Sequence, residues 1–526
     1  MQHPPEVLDL AMLSLENITH PTLAIVCKMR FRKITTSLLL LFISTPLGLT
    51  SEIAQAQVVV PTETPPSPTT PVAPANTTSF CPAQLTSAID AVVNRTQFTR
   101  ARWGILIQPL GSNQTLYNRD SKKFFTPASV TKVLTTAAAL QALGSSYRFR
   151  TTVYGNAENM RVVGGGDPSL TNAQLQALAK QLKQRGIQSI KTLNADEGLI
   201  QGDIVHPTWQ WEDIYSDYGA PISSFMVNEN TFGIKLSPQA VGRNVAIAWN
   251  DANEARLWQV INQSTTVANN QPNTINITRE LSGRVLRIQG NLAANADPMN
   301  VALPVVDPGF YFLRRFRTAL AGEKISLDKT ALVTGGKNES QLASVQSPPL
   351  SELIATVNLD SNNLYAESLL RALGTRQARK PQQTTADAGL ELLKTTLTQL
   401  GVDATSYIIN DGSGLSRRNL ISPEALVQTL RGIARSPGNS VYRASLPVGG
   451  KTGTLKFRFR NTPAEGIVQA KTGTMTGVVS LAGYVNPPNY EPIVFSVIVN
   501  QTSLPASTVR QAIDEVVIML AQLRRC

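Results

Sequence analysis

Hydrophobic positions along this chain follow two periodicities, and the change from one to the other sketches the fold. After Pro127, the residues Val133, Leu134, Ala137 and Leu140 recur at helical spacing in an alanine-rich stretch, so a buried helix is expected to open at Ser129. A second helical pattern places Tyr365, Leu369 and Leu373 on one face, and Gly374 ends it. Toward the C-terminus the period changes. Ile467 to Ala470, Val478 to Leu481 and Ile493 to Val499 are rich in β-branched residues and flank the Pro487-Pro488-Asn489 turn, which predicts antiparallel strands of one sheet. Between the helical stretches, residues 146–344 carry many short β-like segments.

The N-terminal pattern is of a different kind. Met29-Arg30-Phe31-Arg32-Lys33 is basic, an apolar run from Leu38 to Ile43 follows, and Ala54-Gln55-Ala56 is a small-x-small site. This layout predicts a signal peptide at 29–56, cleaved after Ala56, with translation starting at Met29. The apolar core is shorter than the ~20 residues of a membrane-spanning helix, so an uncleaved anchor is the weaker alternative. Residues 57–79 hold six prolines among Thr, Ser and Ala, the composition of an extended spacer. Export places the protein outside the cytoplasm, in the periplasm or cell envelope. There, Cys81 and Cys526 read as a staple between the two ends of the folded region, with two free thiols as the alternative.

Composition narrows the chemistry. A chain of 526 residues, 42% hydrophobic and 16% charged, can bury two or three cores. The formal charge of +12 is scattered rather than interleaved with aromatics, which argues against nucleic acid. A basic surface of this kind fits solubility, or peripheral association with an anionic wall or membrane. Of three histidines only His206 follows the leader, too few for the multi-His sites of catalytic zinc, and no G-x-S-x-G accompanies it. No metal and no cofactor are expected. In a hydrolase of this composition the general base falls to lysine.

Ser129-Val130-Thr131-Lys132 supplies that lysine. Residues at i and i+3 of a helix stand about 5–6 Å apart at Cβ, so a neutral Lys132 amine can take the Ser129 proton. S-x-x-K recurs at Ser326 to Lys329, where no long apolar helix follows. Ser361-Asn362-Asn363 heads the second helix, in the manner of an ordinary N-cap or of a catalytic element. Lys471-Thr472-Gly473 lies on a predicted strand, whereas Lys451-Thr452-Gly453 sits in a loop before Lys456-Phe457-Arg458-Phe459-Arg460 and is taken as a decoy.

In this order the motifs resemble the S-x-x-K, S-x-N and K-T-G set of the penicillin-recognising serine enzymes. Ser129 and Ser361 lie more than two hundred residues apart, a gap that resembles the class C low-molecular-mass penicillin-binding proteins, the D-alanyl-D-alanine carboxypeptidase/endopeptidase family. Gly164 to Leu170, Tyr218 to Pro221, Ser361 to Glu367, Asp411 to Arg417 and Ser445 to Val448 are similar to that family as well. The resemblance implies an α/β fold of the α+β kind. Residues 80–145 and 345–526 would form a transpeptidase-like domain whose five-stranded antiparallel sheet joins an N-terminal hairpin (Trp103 to Leu110, Gln114 to Tyr117) to the C-terminal strands. A last helix would start near Ser507, and 146–344 would form two inserted β-rich domains.

For activity the resemblance implies a serine DD-peptidase acting on peptidoglycan stem peptides, with β-lactam antibiotics as covalent inhibitors. Ser129 would be the nucleophile, Lys132 its base, Ser361 a proton relay, Asn363 a holder of Lys132 and of the substrate amide, and Lys471 a source of positive field. Thr472, Gly473 and Thr474 would line the carboxylate end of the substrate, and Arg417 would hold a stem-peptide carboxylate. Two other classes stay open at this level: a β-lactamase-like hydrolase and a non-catalytic wall-binding protein.

Overall fold

Strands from the two ends of the chain share one sheet. The computed structural model describes residues 79–280, 283–337 and 339–526, so the expected signal peptide and nearly all of the Pro/Thr-rich spacer lie outside the described residues. Strands β1 (Arg102–Pro109) and β2 (Tyr117–Arg119) join β3 (Val468–Met475), β4 (Val478–Val485) and β5 (Ile493–Asn500) in the order β3-β4-β5-β1-β2. Every pairing is antiparallel. The expected five-stranded α+β architecture is therefore present.

Four helices position the site and close the chain: α1 (Pro82–Val93), α2 (Thr131–Leu143), α3 (Asn363–Gly374) and α4 (Ala506–Ala521). Strand alternation distributes side chains to two cores. Ile105, Ile107, Leu481, Val497 and Val499 pack with Leu85, Ile89, Ile513 and Val517 of α1 and α4. Leu106, Ala482 and Ile498 pack with Val133, Leu134 and Leu369 of α2 and α3 on the other face. Since both faces are covered, β4 and β5 are buried at every position, which is why their sequences are continuous apolar runs.

The N-terminal hairpin differs from expectation. Its second strand starts at Tyr117 rather than Gln114, because the preceding loop is bound elsewhere. Arg431 donates to the Pro109 and Ser112 carbonyls at 3.0 and 2.7 Å, which holds that loop out of the ladder. Tyr117 is then drawn inward and donates to Asp90 of α1 at 2.6 Å.

Residues 150–346 build a five-stranded mixed sheet and two three-stranded sheets, with helices Asn172–Gln184 and Pro308–Gly322 packed among them. One continuous apolar cluster runs through these elements, from Val153 to Val345. At the chain ends, Cys81 caps α1 and is disulfide-bonded to Cys526 with their Cα atoms 5.8 Å apart. Phe80 and Leu523 pair in parallel beside it.

Candidate active site

Ser129 lies in a tight turn rather than in the helix expected to open there. Residues Ala128–Val130 form a single 3-10 turn that feeds α2, and Ala128 adopts a left-handed φ of 53°. Such a conformation in a residue with a Cβ is held only by its surroundings. Thr131 donates to the Ala128 carbonyl at 2.9 Å and Ser480 of β4 donates to the Pro127 carbonyl at 2.7 Å. Two glycines press on the same turn. A Cβ on Gly414 would stand 2.1 Å from the Ala128 oxygen, and one on Gly473 would stand 3.1 Å from the Ser129 nitrogen.

Lys132 is fully buried one turn later, and its Nζ donates to Ser129 Oγ (2.8 Å), Asn363 Oδ1 (2.6 Å) and the Ser413 carbonyl (2.7 Å). An ammonium has three protons, and all three are used. Burial pulls its pKa down to about 7, against the opposing pull of Asp411 and Glu367. Near neutral pH a large share of Lys132 is thus the free amine, whose lone pair can accept the Ser129 proton.

The second serine is placed by the head of α3. Ser361 has a left-handed φ of 61°, and its Oγ accepts from Lys471 Nζ at 2.8 Å. Asn362 caps α3 by accepting the Tyr365 N–H at 3.1 Å, so the segment is an N-cap. Asn363 follows, with its amide oxygen on Lys132 and its Nδ2 donating to the Tyr218 carbonyl at 2.9 Å.

Lys471 lies on β3, the edge of the sheet, and its buried Nζ also donates to the Thr472 carbonyl at 3.0 Å. Burial first, and the charge of Lys132 second, hold its pKa well below the usual lysine value. Strand alternation turns Thr472 the other way, where its hydroxyl meets Thr454 at 2.8 Å, while Thr474 is exposed. Thr454 directly follows the second Lys-Thr-Gly, so the two copies are neighbours in space. Their lysines differ: Lys451 is exposed and paired with Glu465 at 2.6 Å. Ser326 and Lys329 lie on the strand Ser326–Val333, where an i, i+3 spacing puts side chains on opposite faces.

Arg417 was expected to stand ready for a carboxylate. Here both of its Nη atoms donate to the Thr476 carbonyl at 3.1 Å, and its Nε donates to Gln210 at 2.8 Å, which ties the Asp411 to Arg417 segment to the turn after β3. Sequence reasoning gave no role to Ser413, Tyr218, Asp411 or Glu367. The first two act through backbone carbonyls, which leave no signature of residue type. Glu367 had a legible signal, a carboxylate on the buried face of α3 with Arg371 one turn on. Residues 208–229 of the inserted region also reach the site: Trp209 donates to Asp411 at 2.9 Å, Thr208 to Ser416 at 2.6 Å, and Glu229 accepts from Asn362 at 2.7 Å.

The chain is similar to known proteins along most of its length. The family model described as D-Ala-D-Ala carboxypeptidase 3 (S13) matches residues 85–523. A D-alanyl-D-alanine carboxypeptidase of Actinomadura sp. is 32% identical over 465 residues, covering 84% of this chain and 85% of its own. Penicillin-sensitive carboxypeptidase A of Dictyostelium discoideum is 31% identical, with 80% and 87% covered. The crystal structure of penicillin binding protein 4 from Haemophilus influenzae superposes with a TM-score of 0.72 at 25% identity, over 82% of this chain and 98% of that one. The chain belongs to the D-Ala-D-Ala carboxypeptidase 3 (S13) family and is a serine-type hydrolase.

Proposed function

We propose that the protein is an exported DD-peptidase that removes the terminal D-alanine of peptidoglycan stem peptides and also cleaves D-alanyl cross-links. The observation that carries this reading is the triple hydrogen bonding of buried Lys132 to Ser129, Asn363 and Ser413, with a pKa of about 7. Ser129 Oγ attacks the carbonyl of the penultimate D-alanine and passes its proton to Lys132. Backbone N–H groups of Ser129 and Thr474 receive the oxyanion, each donor contributing about 3–4 kcal/mol in comparable acyl transfer. The C–N bond then breaks as Ser361 relays the proton held by Lys132 to the departing amine, which returns Lys132 to the free amine. Water attacks the ester carbonyl and gives a proton to Lys132, the bond to Ser129 Oγ breaks, and Lys132 returns that proton to Ser129.

Thr472 and Thr474, which share one face of β3, serve the carboxylate of the leaving D-alanine, and Lys471 adds positive field from the serine side. An arriving carboxylate favours the ammonium form of Lys471, which burial and Lys132 otherwise disfavour. Gly473 lets the strand approach Ser129 without a side chain between them. Arg417, whose Nη atoms each carry a second N–H beyond the bond to the Thr476 carbonyl, is the residue proposed to hold a stem-peptide carboxylate. In this reading the catalytic unit is 80–145 with 345–526, the insertion is 146–344, and β-lactams acylate Ser129. The work is done in the periplasm or cell envelope, in peripheral contact with the wall or membrane.

The experiment is labelling with fluorescent penicillin, adduct mapping, and product analysis on purified peptidoglycan fragments. Ser129→Ala is expected to abolish both labelling and D-alanine release in a folded protein. An adduct that moves to Ser326, or cleavage that resists penicillin, would overturn the assignment. Rapid loss of the adduct would identify a β-lactamase instead.

A further inference from the structure

Two carboxylates are buried beside Lys132 and take no part in the steps above. Asp411 accepts from the N–H groups of Gly414 (2.8 Å) and Ser416 (2.6 Å), from Asn419 (2.7 Å) and from Trp209. Glu367, one turn after Asn363 on α3, accepts through Oε1 from the N–H groups of Gly412 (2.8 Å) and Ser413 (2.9 Å). Its Oε2 is paired with Arg371 at 2.6 Å, and both side chains are almost fully buried. The two acids thus clamp both halves of one turn. That turn presents the Ser413 carbonyl to Lys132 and the Gly412 carbonyl to Thr135 of α2 at 2.7 Å.

Stability alone does not explain an ion pair at this depth. Desolvating a carboxylate and a guanidinium costs about as much as their attraction returns, and well-packed apolar residues often do as well. A neutral glutamine oxygen could also accept both amide N–H groups. What the carboxylate adds is a negative charge behind the turn that holds the lysine.

We propose that Glu367 is a positioning residue for the general base: through Gly412 and Ser413 it aims the Ser413 carbonyl at Lys132 Nζ, and its charge supports that lysine electrostatically. The inference rests on the reading of Lys132 as the base. Charged groups bear on Lys132 from three elements: Lys471 from β3, Asp411 from the turn, and Glu367 from α3 with Arg371 behind it. Ser129 and Asn363 complete its shell as neutral partners. Burial drives the amine toward a weaker base, and the two acids oppose that drift. A base near 7 is both substantially free and still able to take the serine proton.

The test compares Glu367→Gln and the double variant Glu367→Gln/Arg371→Met, which leaves no unpaired guanidinium, with the parent protein. Acylation by fluorescent penicillin is followed per active site from pH 5 to 9, with circular dichroism to confirm folding. Removing the negative charge lowers the Lys132 pKa, so the acid limb of the profile should move to lower pH, by roughly one unit in the single variant and about half a unit in the double. The plateau rate should fall about threefold in the single variant and less in the double as the base weakens. A merely structural role would reduce the amount of active protein and leave the midpoint in place. An unmoved midpoint in either folded variant overturns the proposal, as does failure of both variants to fold. Absence of Ser129 labelling in the parent protein would instead sink the reading of Lys132 as base.

Discussion

Gly473 approaches Ser129 so closely that a Cβ at position 473 would stand 3.1 Å from the Ser129 nitrogen, 2.9 Å from the Pro127 oxygen and 2.2 Å from Ser480 Oγ. The edge strand and the nucleophile turn are thereby in direct contact, and the absence of a side chain is what permits it. Gly473→Ala is expected to push the two apart and slow penicillin acylation about a hundredfold, the usual consequence of an ångström-scale misplacement. The far-ultraviolet circular dichroism should be unchanged. Acylation within a few-fold of the parent would show that the contact is dispensable.

The two Lys-Thr-Gly copies give a second test. Lys471 is buried and bonded to Ser361, whereas Lys451 forms an exposed pair with Glu465, an interaction worth about 0–1 kcal/mol. Lys471→Ala should lower acylation by two orders of magnitude or more, and Lys451→Ala should leave it within a few-fold. Stopped-flow or gel-based labelling distinguishes them, and equal losses would contradict the assignment.

The pH profile follows from Lys132. Its pKa is pulled from the usual lysine value to about 7, and it acts as the free amine. Protonation below that pH removes the base, so acylation should rise with pH through about 7 and then level. A limb near the ordinary lysine value would mean that burial does not tune this group. The measurement is the second-order acylation rate from pH 5 to 9.

Closure of the chain ends gives the last test. The Cys81–Cys526 disulfide spans 445 residues of sequence and joins the two helices that cover one face of the sheet. In the chain-entropy view such a link stabilises by about 2–5 kcal/mol. Cys81→Ser/Cys526→Ser should lower the guanidinium unfolding midpoint accordingly, while penicillin labelling persists in native buffer. An unchanged midpoint would show that the ends are held by the Phe80 and Leu523 pairing instead.

Much of this protein was determined locally. The β-branched apolar runs Val478 to Leu481 and Ile493 to Val499 and the helical spacing at Tyr365, Leu369 and Leu373 depend only on near neighbours, so strands and helices could be read directly. The order of the three motifs pointed to the family for the same reason, since residue types at fixed spacing survive whatever lies between them. The tertiary structure decided the rest. It gave Ser129 a 3-10 turn in place of a helix start, because β4 and two glycines hold Ala128 in a left-handed conformation. It moved the second hairpin strand to Tyr117, because Arg431 binds the loop from another helix. It separated the lysine that meets Ser361 from the one that meets Glu465. Above all it supplied the carbonyls of Ser413 and Tyr218 and the buried charge of Glu367. A backbone oxygen has no residue identity, and the effect of a charge depends on what desolvates it, so neither is visible until the chain has folded.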